Sequence, residues 1–284
     1  MVNYRHAFHA GNFADVVKHA VLARILVHLR TKPAAFRVLD THAGSGRYDL
    51  AGDEAERTGE WRDGIGRIAA ARIEPAVAAL LAPYLEVVTR LNPPACLVTY
   101  PGSCEIARAH LRPQDRLIAC ELEPNAAHAL ARNFSGDERV KAIAIDGWTA
   151  LTAYVPPKER RGVVLVDPAF EQPDEFVRLV DRFAAAHRKW PTGIYVLWYP
   201  VKSRRDPDAL AQRLERLAIP KILRAEIAVA APRDDDRLAA CGLVIVNPPW
   251  TLERELEVLL PALVALLARD AKAAVRLGWL AGEK

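Results

Sequence analysis

Apolar residues along this chain fall into two kinds of run. Between positions 14 and 30, Val17, Ala20, Val21, Ile25 and Leu29 recur at helical spacing, with Asn12 or Asp15 available to start the helix they predict. Beyond it come short apolar runs, each closed by polar or turn-forming residues. Phe36 to Leu39 ends at Asp40, Leu117–Cys120 at Glu121, Val140–Ile145 at Asp146-Gly147, Val163–Val166 at Asp167, and Gly193–Trp198 at Tyr199-Pro200. Such runs read as strands buried on both faces. Helices fill the gaps: Pro124 opens one at a favoured first-turn position, and Ser103 can cap another running to about Leu111. Ile222–Val229 and Gly242–Val246 have no helix between them and predict an antiparallel hairpin. The alternation lapses over residues 49–101, where helix-like segments (Asp63 to Ile73, Pro75 to Leu91) are broken by Pro75, Pro83 and Pro93-Pro94. The pattern predicts an α/β fold: a Rossmann-like domain of residues 1–48 and 102–284 with a C-terminal antiparallel hairpin, and a small inserted helical subdomain at 49–101.

Composition narrows the class. Of 284 residues 51% are apolar, enough for a core and too many for a disordered chain. The formal net charge of +4 announces no partner by itself, but residues 1–48 carry seven basic side chains against two acidic ones, a net of +5. Either a solvated helix face or a polyanion contact fits that bias. Cys96, Cys104, Cys120 and Cys241 show no metal or redox spacing and read as reduced, buried thiols. No apolar signal segment follows Met1-Val2-Asn3-Tyr4, and the longest apolar stretch, Val258 to Ala268, is roughly half a membrane span. A soluble, cytoplasmic protein is expected.

The first candidate site is Asp40-Thr41-His42-Ala43-Gly44-Ser45-Gly46 at a strand's carboxyl edge, where open α/β sheets bind ligands. Gly44 and Gly46 allow a sharp turn and close approach to a ligand. A P-loop would need Lys and then Ser or Thr where Arg47-Tyr48 stand, and a dinucleotide fingerprint wants glycine at Asp49. A plain tight turn fits the glycines alone. The acids ending the next strands favour a nucleoside: Glu121 can hold ribose hydroxyls, and Asp146-Gly147 can meet an adenine amine. With no phosphate-cradling lysine, S-adenosylmethionine suits these carboxylates better than NAD or ATP.

The second candidate is Asp167-Pro168-Ala169-Phe170. An exocyclic amine is a poor nucleophile because its lone pair is delocalised into the ring. Hydrogen bonds from its two N–H groups to the Asp167 carboxylate and the Pro168 carbonyl can pull the nitrogen toward sp³ geometry, while Phe170 stacks on the base. Cofactor loop followed by this motif is the order of a class I methyltransferase. Asn247-Pro248-Pro249-Trp250 resembles the same motif, but it follows the last hairpin strand, and chain order assigns it a structural role.

The chain resembles the bacterial 23S rRNA (adenine-N6)-methyltransferases of the J family. The resemblance spans essentially the whole sequence and is most specific at Tyr4 to His19, Leu39 to Tyr48, Glu56 to Glu60, Tyr100 to Ser103, Gly193 to Val201 and Asn247 to Trp250. It implies a monomer using S-adenosylmethionine on one adenine of 23S rRNA, free or partly assembled, without metal or membrane. By position, His19, His42, Ser103, Glu121, Asp146 and Gly147 would line the cofactor site, Asp167 would be catalytic, and Tyr4 would meet the RNA. Arg5 and Lys18 are expected to add salt-sensitive phosphate contacts. The departure is Ala169-Phe170, where the family usually has Pro-Tyr. Two alternatives stay open: a DNA adenine-N6 methyltransferase, for which the insertion is small as a recognition domain, and a non-catalytic nucleic-acid-binding protein linked to use of external DNA, against which Asp167 and Glu121 speak.

Overall fold

The computed structural model describes residues 5–231 and 237–283; Tyr4 lies outside them. Helix α1 (Phe13–Arg30) begins where Asn12 accepts a hydrogen bond from the Asp15 N–H at 3.0 Å, so Asn12 is the cap. Strand β1 (Arg37–Asp40) follows, then β2 (Arg47–Asp49), α2 (Asp53–Thr58), α3 (Ile65–Ala70), α4 (Pro75–Arg90) and β3 (Thr99–Pro101). The alternation continues through α5 (Ser103–Ala109), β4 (Arg116–Glu121), α6 (Pro124–Phe134), β5 (Val140–Ala144), α7 (Gly147–Ala153), β6 (Gly162–Val166), α8 (Glu175–Lys189), β7 (Ile194–Pro200) and α9 (Arg205–Arg216). Strands β8 (Ile222–Ala228) and β9 (Ala240–Val246), helix α10 (Leu252–Leu267) and strand β10 (Ala274–Ala281) complete the order.

The main sheet has eight strands in the order β10-β8-β9-β7-β6-β1-β4-β5. The five from β7 to β5 are parallel, and β9, β8 and β10 add antiparallel pairs. Alternate side chains feed two cores: Val38, Val163 and Leu165 face one with α1, α4, α5 and α10, whereas Leu39, Val164 and Val166 face the other with α7, α8 and α9. The chain runs from β1 outward to β4 and β5 and then returns across β1 to β6. The β1/β6 boundary is therefore a topological switch point, which opens a crevice above the carboxyl ends.

Four expectations need correction. Pro83 does not break a helix: it sits inside α4, whose buried Leu81, Tyr84, Val87 and Val88 hold the helix by tertiary packing. Gly102, not Ser103, occupies the cap position of α5, because the Ser103 hydroxyl is committed to Asp40. Cys96 is exposed, although the other three thiols are buried. The antiparallel region exceeds the expected hairpin: edge strand β10, with Val275, Leu277 and Trp279 alternating against Arg276 and Gly278, pairs with β8. Among the described residues, no helix is long and apolar enough to cross a membrane.

Candidate active site

The loop after β1 extends both neighbouring ladders. Thr41 donates its N–H to the Leu165 carbonyl of β6, and Ala43 donates to the Cys120 carbonyl of β4, at 3.1 and 2.8 Å. The turn then depends on left-handed backbone at Gly44 (φ 57°) and Gly46 (φ 76°). A Cβ on Gly46 would stand 2.4 Å from the Phe134 ring, so glycine is required there sterically as well. Glu121 clasps the turn from β4: one carboxylate oxygen accepts from Gly44 N–H, the other from the Leu122 and Glu123 N–H groups, all at 2.8 Å.

Asp40, at the end of β1, is 1% exposed and accepts from the Ser103 hydroxyl at 2.5 Å and from the Cys104 thiol. Burial outweighs these hydrogen bonds and pushes its pKa up to about 6. Asp146 caps α7 with one oxygen, which accepts from the Thr149 N–H and hydroxyl. Gly147 lies so close to the Thr41 carbonyl and the His42 ring that no Cβ fits between them. His42 meets Trp148 edge-on at 5.3 Å, and burial lowers its pKa to about 4.

Asp167 projects from β6 beside this loop, and Lys18 holds it. The Lys18 ammonium donates to Asp167 at 2.5 Å and to Asp15 at 2.7 Å, and the residue is only 4% exposed. Burial opposes its charge, but the Coulombic pull of Asp15 and Asp167 wins and holds its pKa well above that of an ordinary lysine. Asp15 in turn bonds His6 at 3.0 Å and accepts from the Gly11 N–H. Phe170 lies 4.7 Å from Phe176 and 5.8 Å from Trp198, ring centre to ring centre. Its φ of 53° is left-handed, a strained conformation for a bulky residue and the kind of strain that accumulates at functional sites.

These groups surround one cavity of about 1010 Å³, lined among others by His42, Gly44, Glu121, Asp146, Asp167 and Phe170. Of the expected residues, His19, Ser103, Gly147 and Pro168 also line it. Gly46 is not among the lining residues and acts on the loop's shape. His19 is 1% exposed, bonds the Tyr100 hydroxyl at 2.8 Å, and is kept neutral by burial, its pKa falling to about 3. An unfolded chain would protonate that imidazole below about pH 6.5. Folding stability conferred by His19 is therefore complete above that value and lost as pH falls toward 3. Urea midpoints at pH 7 and pH 5 should differ less in His19→Gln than in the parent; an equal difference would show that His19 does not carry this dependence.

Lys18 corrects the expectation of a salt-sensitive phosphate contact: α1 packs against α4, α5, α10 and β9, and the Lys18 ammonium is held between the Asp15 and Asp167 carboxylates. The amino-terminal charge bias is largely internal too, since Arg5 pairs with Glu54, Arg24 with Glu255, Arg37 with Glu159 and Arg47 with Glu105. Sequence reading missed Asp15 as a partner. The signal was there: Asp15, Lys18 and His19 place three polar groups at i, i+3 and i+4 on a helix whose other neighbours are apolar. The rival Asn247 motif is removed by strand direction. Strand β9 runs antiparallel to β7, with Val246 opposite Tyr195, so Asn247 emerges at the opposite sheet edge. There its amide donates to the Pro191 and Gly193 carbonyls at 2.8 Å.

An open sheet with a glycine turn at its switch point, a carboxylate clasping that turn and acids at the next strand ends defines a class I, S-adenosylmethionine-dependent methyltransferase. The donor set fits that nucleoside: carboxylates for hydroxyl and amine donors, and no lysine cradle for phosphate. Residues 33–281 match the model of the family described as ribosomal RNA large subunit methyltransferase D, RlmJ. Two relatives named ribosomal RNA large subunit methyltransferase J, from Escherichia coli and Haemophilus influenzae, are 41% and 40% identical, with 100% of each chain covered. A crystal structure of a Legionella pneumophila protein is similar, with a TM-score of 0.86 and 31% identity, covering 95% of this chain and 98% of that one. The chain belongs to the RlmJ family of large-subunit ribosomal RNA methyltransferases.

Proposed function

We propose that this enzyme methylates the exocyclic N6 of a specific adenine in 23S rRNA, acting as a monomer on free or partly assembled RNA. The observation carrying this reading is the Asp167 carboxylate, pinned by buried Lys18 on the wall that also holds Pro168, Phe170 and the Glu121-clasped loop. The relatives named for large-subunit rRNA support the substrate class.

Asp167 and the Pro168 carbonyl would accept the two N–H bonds of the target amine, turning its lone pair toward the incoming methyl group. Phe170 would stack on the base, a contact of about 1–3 kcal/mol. Glu121 would receive the ribose hydroxyls of the donor, Asp146 and Gly147 its adenine, and His19, His42 and Ser103 would line the remainder. When bound, S-adenosylmethionine supplies a methyl group already activated by its sulfonium, so alignment is the main task left to the protein. We read residues 49–101 as an inserted helical subdomain on the Rossmann-like domain formed by 1–48 and 102–284. Its α4 packs against α1 and α10, an arrangement that supports a single RNA-facing body over a DNA enzyme with a separate recognition lobe.

Glu121→Ala should weaken S-adenosylmethionine binding by about 1.5–3 kcal/mol, the scale of a charged hydrogen bond. Unchanged affinity by calorimetry would assign the ribose to another group. The reading as a whole is tested by incubating 23S rRNA, and separately duplex DNA, with the protein and labelled S-adenosylmethionine, followed by nucleoside mass spectrometry. N6-methyladenosine at one rRNA position is expected; label in DNA alone, or in neither polymer, would overturn it.

A further inference from the structure

RNA must bring phosphates to a cavity whose charged lining is mostly acidic. Asp15, Glu121, Glu123, Asp146, Asp167 and Glu171 are among the acids that line it. Four cations also line it: Arg5, Lys18, Arg178 and Lys202. Three are engaged, Arg5 by Glu54, Lys18 by Asp15 and Asp167, and Arg178 by Asp174. Lys202 is exposed and has no ion pair among the described residues.

The segment carrying Lys202 is fixed at both ends. Strand β7 adjoins β6, so the loop after β7 leaves the sheet next to the Asp167–Phe170 loop. At its near end, buried Val201 donates its N–H to the Ala240 carbonyl at 2.9 Å. At its far end, the Arg204 guanidinium donates to Glu226 at 2.6 Å and Asp208 at 2.7 Å. Only Lys202 and Ser203 lie between these anchors, and Pro200, on the strand side of them, lines the same cavity as Phe170 and Trp198. A lysine on a short, doubly anchored span beside the aromatic wall holds its charge at the cavity lip without the ordering loss of a long loop.

We infer that Lys202 binds the RNA phosphate flanking the target adenosine, and so sets how the base is offered to Asp167 and Phe170. The inference rests on the reading of this enzyme as an RNA methyltransferase. Arg204 shares the basic run but is consumed by Glu226, and exposed Arg205 does not line the cavity, which singles out Lys202 from its neighbours in sequence. A phosphate held here would lie on the β7 side of the base, away from the carboxylates of β4 and β5 that would repel it.

The test is steady-state methylation of 23S rRNA transcript at several salt concentrations, with Lys202→Ala, Lys202→Glu and the control Lys158→Ala, a loss of equal charge in the loop before β6 at the opposite sheet edge. Lys202→Ala should raise KM for RNA about three- to tenfold and flatten the slope of log(kcat/KM) against log salt by about 0.7–0.9, one phosphate contact. Lys202→Glu should raise KM further, and Lys158→Ala should match the parent. Calorimetric S-adenosylmethionine affinity and melting temperature should stay at parental values in every variant. If the parent methylates rRNA but Lys202→Ala keeps its KM and salt slope, or loses kcat alone, the phosphate assignment is wrong while the enzyme reading survives. If the parent does not methylate rRNA at all, the enzyme reading itself fails.

Discussion

Asp167→Ala should lower the rate of methyl transfer by about 10²–10⁴-fold, the range for losing a positioned polar group at the reacting atom. Two roles would disappear together, the proposed acceptor for the target amine and the partner of Lys18. Cofactor affinity should fall far less than turnover, since Glu121 and Asp146 hang from other strands. Single-turnover methylation of rRNA, with calorimetry for the donor, separates the two. Asp167→Asn keeps an acceptor oxygen but no charge, and should fall between the parent and Ala. Near-parental transfer by the Ala variant would remove Asp167 from the chemistry. Asn247 could not replace it, because strand polarity delivers that residue to the far edge of the sheet.

Lys18→Met should be the most destabilising single change at the site, by about 3–5 kcal/mol, because it strands two carboxylates that share one buried cation. Asp15 is fully buried, and although burial opposes its charge, His6 and Lys18 draw its pKa well below the ordinary carboxylate value. Without the ammonium, Asp15 and Asp167 face each other's repulsion, and Asp167 loses the contact that fixes its orientation. Denaturant unfolding should show the loss, and transfer should drop even at temperatures where the variant remains folded. A double variant, Lys18→Met with Asp15→Asn, should regain part of the stability and little of the activity. Full recovery of turnover in that double variant would mean that Lys18 serves the fold alone.

Most of the frame was readable from sequence because parallel strands buried on both faces leave uninterrupted apolar runs, and acids at their ends mark the ligand edge. Asp40, Glu121, Asp146 and Asp167 were found that way. Lys18 was misread because one-dimensional charge counting cannot distinguish a cation facing solvent from one facing a carboxylate 149 residues further along. Ser103 was misassigned for a related reason. A serine before a helix normally caps it, and only the fold brings Asp40 within 2.5 Å to claim the hydroxyl. Strand β10 escaped because it is an edge strand, half exposed, and carries no sustained apolar run. The Asn247 motif shows a further limit: two similar tetrapeptides differ in meaning only through the direction of the strands before them.

The clasp of Glu121 on Gly44, Leu122 and Glu123 has an energetic corollary for the encounter with the methyl donor. Segment 40–46 acquires its curvature from partners within the protein, so most of its ordering is completed when the chain folds rather than when a ligand arrives. At this end the crevice is preorganised, and the nucleoside proposed to bind there would meet a shape that already exists. Under the proposed function, selection among competing nucleosides would then take place at first contact, with little further ordering of segment 40–46.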